Sequence, residues 1–325
     1  SRGLGDVYKR QHYNDMPLFM NIPKFNNSDI LENGWWNILP KKFLKWIRLG
    51  RFDRPVGFWL LLLPGWWVLA LSDIELINCI KLMIVFFVGS VVMRAAGCTI
   101  NDLWDKDIDK KISRTKNRPI ANGDVSNQQA FYFLALMLLI GIICLYQLNV
   151  NTWYVALSSL PLVIVYPLAK RFTKWPQIIL GLTFSWSVPT AWSAANQEFT
   201  IGIFLMYFGT VFWIIGYDTI YGCQDKNEDE FFGIQNSAVS AKKFLPTFVG
   251  CMYLITFILL IVSGYFLKAS FFWFIGVTLV GYHFLNQILK LNDLKKNDPL
   301  KIFKSNVKVG LILTLFALGN YTNFI

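Results

Sequence analysis

Long apolar blocks separated by short polar segments dominate the chain from residue 56 onward. Nine such blocks can be drawn, at roughly 56–72, 79–98, 128–147, 152–168, 177–195, 200–221, 243–266, 270–289 and 306–323. Each is close to the roughly 17–25 residues that an α-helix needs to cross a bilayer. Because backbone groups in lipid must hydrogen-bond within their own segment, helices are predicted rather than open strands. The pattern therefore predicts an all-α integral membrane protein with nine transmembrane helices.

The positive charges lie almost entirely on one side of this predicted topology. With the N-terminus placed inside, 24 lysines and arginines fall on the starting side, and only Lys81 and Lys268 fall on the other. Such a bias is typical of the inner face of membrane proteins and supports both the helix count and the orientation. The net charge of +11 is thus explained by topology and contact with anionic lipid. The basic residues are spread over five loops without a groove-reading motif, which argues against nucleic-acid binding.

Residues 1–43 differ from the rest and are interpreted as a polar leader ahead of a transmembrane domain at 44–325. The leader has no apolar stretch typical of a signal peptide. Its acidic residues, such as Asp6 and Asp15, are unusual for a mitochondrial transit peptide. These features favour the bacterial plasma membrane, with the mitochondrial inner membrane as the alternative.

One acidic spacing occurs twice, each time at the inner-side end of an apolar block. The three counterparts, each 116 residues apart, are Asp102 and Asp218, Asp105 and Tyr221, and Asp109 and Asp225. Positions i, i+3 and i+7 share one face of an α-helix. Carboxylates gain nothing from lipid, so the repeated spacing predicts a cationic ligand, although either run alone could be a solvated helix end.

Carboxylates grouped in this way suit hard divalent cations, which take oxygen ligands. Mg²⁺ is usually bound by one or two carboxylates together with substrate phosphates. Basic residues that could hold those phosphates lie on the same predicted side: Arg114, Arg118, Lys170 and Arg171. Two Mg²⁺ ions and four basic side chains would bring the acids and a diphosphate close to neutrality. The pair Lys170 and Arg171 could alternatively be an inner-side membrane anchor.

Two further residues are singled out by their positions. Asp107 lies roughly 140° from Asp102 on a helical wheel, off the ligand face, so it is predicted to be dispensable and paired or solvated. Arg94 lies inside the second apolar block, where a charge is costly and usually faces a cavity. Arg94 would either pair with a motif aspartate or bind an anionic acceptor, such as a carboxylate on an aromatic ring.

The motifs resemble those of the UbiA superfamily of intramembrane prenyltransferases, and the likeness covers roughly residues 44–325. The family pattern N-D-x-x-D-x-x-x-D is matched at 101–109, R-T-x-x-R-P at 114–119, and Y-D-x-x-Y-x-x-x-D at 217–225. Segments 93–98 and 166–173 are similar to those of members that use 4-hydroxybenzoate. The chain departs from the family at 226–229, where fewer aspartates occur, and at 233–237, where a lysine is absent.

The resemblance implies nine transmembrane helices around a central cavity, capped by loops on the cytoplasmic or matrix side. It also implies an enzyme of the lipid bilayer that transfers a polyprenyl group from polyprenyl diphosphate to the ring of 4-hydroxybenzoate. The product would be 3-polyprenyl-4-hydroxybenzoate, an early intermediate of ubiquinone biosynthesis, and Mg²⁺ would be the cofactor.

The site implied by the resemblance has four groups of residues. The metal ligands would be Asn101, Asp102, Asp105, Asp109, Asp218, Asp225 and Asp229. The diphosphate ligands would be Arg114, Arg118, Lys170 and Arg171, and Arg94 would bind the acceptor. The residues closest to the chemistry would be Asp102, Asp105, Asp218 and Tyr221.

Two alternatives remain at this point. The nearest is another prenyltransferase of the superfamily, with haem, a menaquinone precursor or a tocopherol-type acceptor. The alternative of a different class is a cation transporter with two acidic sites. Transport sites normally lie at broken helices near the membrane midplane, whereas these acids are predicted at the inner mouth beside basic loops.

Overall fold

Every regular secondary-structure element that the structure, a computed structural model, assigns among the described residues is a helix. The described residues are 34–110, 115–224, 237–241, 244–294 and 296–324, without the side chains of 168, 170–172 and 322–324. The α-helices in these ranges are α1 (Lys41–Leu49), α2 (Val56–Leu71), α3 (Leu76–Trp104), α4 (Lys106–Asp109), α5 (Asn127–Tyr146), α6 (Val150–Leu157), α7 (Leu160–Phe172), α8 (Pro176–Phe184), α9 (Ser187–Ala194), α10 (Ile201–Gly222), α11 (Ser237–Ala241), α12 (Leu245–Phe266), α13 (Phe271–Leu291), α14 (Pro299–Lys304) and α15 (Asn306–Ala317). Short 3₁₀ helices at Trp35–Ile38 and Leu318–Phe324 flank them.

Seven segments of the described residues are long and apolar enough to cross a membrane. They are α3, α5, Val150–Pro167, α10, α12, α13 and Pro299–Tyr321. Helix α2 is a shorter apolar helix of 16 residues. The all-α membrane fold predicted from the apolar blocks is therefore confirmed.

The predicted span at 177–195 is not a single helix. It consists of α8 and α9, which meet at Ser185 and Trp186. Because Pro189 has no N–H group, it cannot donate to the carbonyl of Ser185 four residues earlier. That carbonyl instead accepts a hydrogen bond from the N–H of Val188 at 2.9 Å. Each half is too short to cross a bilayer alone, so the predicted count of nine spans is not confirmed for the described residues.

The main core lies among α2, α9, α10, α12, α13 and α15. Three of its largest side chains, Trp67, Trp213 and Trp273, are almost fully buried. Helix α5 instead exposes apolar side chains such as Leu139 and Ile142, as expected for a helix that faces lipid. Among the candidate spans, α10 is the most enclosed, so the second acidic motif starts inside the helix bundle.

Contacts between the helices that carry the two acidic motifs connect α3 with the second motif. Arg94 of α3 is close enough to Tyr217 and Tyr221 of α10 to interact with them electrostatically. The N–H of Ser237 in α11 donates to Gln177 Oε1 of α8 at 3.1 Å. The side-chain hydroxyl of the same serine lies 2.6 Å from the hydroxyl of Thr219 in α10. Helix α3 therefore lies near the end of α10 at Arg94, and α11 packs against α8 and α10.

Candidate active site

The first acidic motif spans a junction between two helices. Helix α3 ends at Trp104, Asp105 caps it with φ −96° and ψ 8°, and α4 adds one more turn. The N–H of Asp105 bonds to Asn101 O at 2.8 Å, and that of Asp109 bonds to Asp105 O at 2.8 Å. The predicted single helix through the motif is therefore interrupted at Asp105, although both hydrogen bonds keep the i to i−4 spacing of an α-helix.

Arg118 nevertheless joins the two ends of the first motif. Its Nη1 donates to Asp102 Oδ1 at 3.3 Å and to Asp109 Oδ2 at 2.9 Å. The Thr115 hydroxyl donates to the backbone carbonyl of Asp109 at 3.0 Å and fixes the loop that carries Arg118. Burial raises the pKa of Asp109 above its ordinary value, and the positive charge of Arg118 opposes that effect. A further cation at this carboxylate would stabilise its charged form.

A second arginine, which the sequence did not single out, also reaches Asp102. Arg51 lies between α1 and α2, and its Nη2 donates to Asp102 Oδ1 at 2.6 Å. The backbone of Arg51 is in the left-handed region, with φ +58°, which is uncommon for a residue other than glycine. Both arginines bond to Oδ1 of Asp102, whereas its Oδ2 is buried without a hydrogen-bond partner among the described residues. Such an oxygen is costly to bury and is the kind of ligand that a hard cation prefers.

The described residues supply part of the predicted metal site. They contain no group of three or more His, Cys, Asp or Glu side chains placed to hold a metal ion. Asp225, Asp229 and Arg114 lie outside the described residues, as do the side chains of Lys170 and Arg171. The predicted ligands that are described are all hard oxygen donors: Asn101, Asp102, Asp105, Asp109 and Asp218. With the buried Asp102 Oδ2, this donor set fits a cation such as Mg²⁺ that takes its remaining ligands from phosphate and water.

Asp107 points away from these groups. Its side chain is 89% exposed, and its Oδ1 lies 3.3 Å from Nζ of Lys110. The prediction that Asp107 is paired or solvated is therefore confirmed, and its dispensability stays a prediction.

The second motif begins in the last two turns of α10, and its Asp225 lies outside the described residues. Asp218 and Tyr221 are half-buried there, and Tyr217 is buried. The ring of Tyr221 lies 4.7 Å from that of Phe303, and the ring of Tyr217 lies 5.7 Å from it. The buried hydroxyl of Tyr217 has no hydrogen-bond partner among the described residues. Aromatic rings therefore surround the described part of this motif, and the Tyr217 hydroxyl is available to a ligand.

Arg94 of α3 lies near the tyrosines of the second motif. Its Cζ is 5.5 Å from the ring centre of Phe184, and the guanidinium interacts electrostatically with Tyr166 as well as with the tyrosines of α10. Its Nε is buried without a hydrogen-bond partner in the described part of the chain. Arg94 forms no ion pair with a described aspartate, which disfavours the pairing alternative. A charged group with a spare buried donor instead favours an anionic ligand.

Gly57 of α2 makes room for Arg94. A Cβ atom at this position would lie 2.6 Å from Nε of Arg94 and 3.0 Å from its Nη2. Any larger residue would therefore displace the guanidinium. The sequence did not identify this role, because it depends on how α2 packs against α3.

Known proteins resemble the chain in sequence and in fold. A profile of the UbiA prenyltransferase family matches residues 58–312. The mitochondrial 4-hydroxybenzoate polyprenyltransferase of Rattus norvegicus is 39% identical over 295 residues, which are 87% of this chain and 77% of that protein.

Two solved structures share the fold. The apo structure of a UbiA homologue from Aeropyrum pernix K1 has a TM-score of 0.68 and 21% identity, and the match covers 83% of this chain and 98% of that one. A UbiA homologue from Archaeoglobus fulgidus, bound to GPP and Mg²⁺, has a TM-score of 0.62 and 18% identity, with 86% and 99% covered.

Proposed function

The chain belongs to the UbiA prenyltransferase family, and on that premise we propose that it transfers a polyprenyl group from polyprenyl diphosphate to 4-hydroxybenzoate. The product is 3-polyprenyl-4-hydroxybenzoate, an early intermediate of ubiquinone biosynthesis. The single observation that carries the acceptor assignment is Arg94, a guanidinium with a spare buried donor near the tyrosines of the second acidic motif. The name of the R. norvegicus relative supports the same acceptor.

The donor diphosphate binds at the mouth formed by the two motifs. The A. fulgidus homologue was solved with GPP and Mg²⁺, which supports a metal-assisted diphosphate site in this chain as well. The residues that would hold the metal are Asn101, Asp102, Asp105, Asp109, Asp218, Asp225 and Asp229. When bound, Mg²⁺ neutralises charge on the leaving diphosphate. The residues that would hold the phosphates directly are Arg114, Arg118, Lys170 and Arg171.

Side chains of the protein stabilise the leaving group, shield the cation and position the acceptor. Arg118 stabilises negative charge that grows on the diphosphate as the bond between the prenyl carbon and oxygen breaks. The rings of Tyr217 and Tyr221 shield the allylic cation through their π-faces. Arg94 holds the acceptor carboxylate, so that the ring carbon next to the phenol faces the cation and forms the new carbon–carbon bond. Asp218 accepts the phenol proton as that bond forms. It returns the proton to the phenol oxygen when the substituted ring carbon loses its own proton to the released diphosphate, which restores the aromatic ring.

The function is tested by product formation in proteoliposomes of the purified chain. Labelled 4-hydroxybenzoate and a polyprenyl diphosphate are supplied with Mg²⁺ or with EDTA, and the product is identified by mass. Phenol, which lacks the carboxylate, is the matched acceptor. We expect a Mg²⁺-dependent 3-polyprenyl product and poor use of phenol. Equal use of both acceptors would refute the acceptor assignment, and the absence of any prenylated product would refute the function.

The protein is a membrane protein, and we place it in the mitochondrial inner membrane with the mouth on the matrix side. The compartment in the name of the R. norvegicus relative supports this alternative over the bacterial membrane favoured by the leader. The concentration of basic residues in the segments near the mouth supports the sidedness.

Replacing Arg94 with alanine should raise KM for 4-hydroxybenzoate by about 10- to 100-fold, the range of one charge-assisted hydrogen bond. Because Arg94 is assigned to the acceptor, KM for the prenyl diphosphate should change little. Steady-state kinetics with each substrate varied in turn measures both constants. An unchanged KM for 4-hydroxybenzoate would contradict the assignment.

Gly57→Ala should also raise KM for 4-hydroxybenzoate, although this substitution removes no charged group. The new Cβ would meet Nε of Arg94 at 2.6 Å and force the guanidinium to move. We expect KM for 4-hydroxybenzoate to rise by about tenfold, less than for Arg94→Ala, because the charge remains near its place. Gly97→Ala, where an added Cβ meets nothing within 4 Å, is the matched control in α3 and should behave like the wild type.

A further inference from the structure

We infer that Arg51 is the counter-cation that neutralises Asp102 before metal binds. The Arg51 guanidinium competes with Mg²⁺ for this carboxylate, and it binds the diphosphate instead when the metal binds. The inference rests on the proposed function, since it takes the acidic motif as the metal and diphosphate site. Arg51 belongs to the turn between α1 and α2, far in sequence from both motifs.

The contact between Arg51 and Asp102 is short and enclosed. Nη2 and Oδ1 are 2.6 Å apart, and the two side chains are 10% and 1% exposed. Nη1 of the same guanidinium donates to the backbone carbonyl of Arg48 at 2.8 Å, so the side chain is held at both nitrogens. The left-handed backbone at Arg51 is a conformation that glycine adopts more easily. The turn therefore holds Arg51 in a costly backbone conformation, and the side chain positioned in this way hydrogen-bonds to Asp102.

The charges around Asp102 differ between its two oxygens. Oδ1 accepts hydrogen bonds from both Arg51 and Arg118, whereas the buried Oδ2 has no hydrogen-bond partner among the described residues. A divalent cation on Oδ2 would lie close to both guanidinium groups and would be repelled by them. The arginine that is held less firmly by carboxylates should be the one that moves.

Arg51 meets that condition better than Arg118. Arg118 is held by two carboxylates, Asp102 and Asp109, whereas Asp102 is the one described carboxylate that pairs with Arg51. A guanidinium released beside an incoming diphosphate gains a partner of matching planar geometry, because arginine binds phosphate oxygens through two parallel donors. Arg51 thus exchanges one anion for another, which couples metal binding to diphosphate binding.

The exchange predicts opposite effects of one substitution on two ligands. In Arg51→Gln, thermal stabilisation of the detergent-purified protein by MgCl₂ alone should occur at about tenfold lower concentration than in the wild type, because the competitor is gone. With Mg²⁺ held constant, stabilisation by inorganic pyrophosphate should require about tenfold higher concentration, because a phosphate donor is lost. Lys41→Gln, which removes an exposed positive charge from α1, should shift neither midpoint.

Unchanged or weaker Mg²⁺ stabilisation of Arg51→Gln would overturn the inference, as would equal shifts in Lys41→Gln.

If Arg51→Gln does not fold, Arg51→Lys keeps the charge but loses the planar fork. It should then show a Mg²⁺ midpoint near that of the wild type and a weaker pyrophosphate response, and a normal pyrophosphate response would overturn the inference. Neither titration contains an aromatic acceptor, so failure here leaves product formation intact and is distinguishable from failure of the proposed function.

Discussion

Asp102→Asn is expected to lower prenyl transfer by about a hundred- to a thousandfold, which is the range of a lost electrostatic contact to the developing charge. Asp102 is 1% exposed, and its Oδ2 is buried without a hydrogen-bond partner among the described residues. Asparagine keeps the shape of the side chain but removes the negative charge that a metal needs. The rate is measured as labelled 3-polyprenyl-4-hydroxybenzoate formed per minute by equal amounts of purified protein.

Asp107→Asn is the matched control in the same motif. Its side chain is 89% exposed and paired with Lys110, so the substitution should leave most of the activity. Size-exclusion profiles in detergent should show that both variants remain folded and monodisperse. Similar losses of activity in both variants would contradict the assignment of Asp102 as a ligand, since the effect would then reflect the general negative charge of the segment.

Asp218→Asn is the second substitution with a large expected effect. Asp218 is half-buried near the end of α10 and interacts electrostatically with Tyr166 and Tyr217. Because the proposed function gives it both metal binding and proton acceptance, its loss should also lower kcat by about a thousandfold. Single-turnover measurements with saturating Mg²⁺ and both substrates separate this loss from weaker binding.

Asp293→Asn provides the control for Asp218. Asp293 is 43% exposed and lies 3.2 Å from Nζ of Lys296, beyond the end of α13. We expect this variant to keep wild-type kinetics. Substantial activity in Asp218→Asn, at the level of Asp293→Asn, would show that the second motif has no part in the reaction.

The helices were predictable because lipid leaves the backbone few choices. The apolar block at 79–98 corresponds to α3, and that at 200–221 corresponds to α10. The interruption at Ser185 was missed, although Pro189 was a signal for it, because apolar content alone does not distinguish one helix from two. The polar end of α3 also extends beyond its apolar block, so its last turns carry residues that the hydropathy pattern assigned to a loop.

The chemistry of the site was only partly predictable. Spacing correctly separated Asp107 from Asp102, because even a short helical segment places them on different sides. Spacing could not show that Asp105 ends α3, since that depends on the local hydrogen bonds of the junction. Nor could it show that Arg51 meets Asp102, or that Gly57 leaves space for Arg94. Those contacts join separate helices and arise from tertiary packing.

The central claim is that the two acidic motifs hold one diphosphate together, and equilibrium binding tests it most directly. Binding of a labelled prenyl diphosphate to the purified protein is measured with Mg²⁺ and with EDTA, for the wild type, Asp102→Asn and Asp218→Asn. We predict one Mg²⁺-dependent site per chain in the wild type and loss of that site in each variant. Full Mg²⁺-dependent binding in either variant would contradict the account, because a single motif would then suffice to hold the donor.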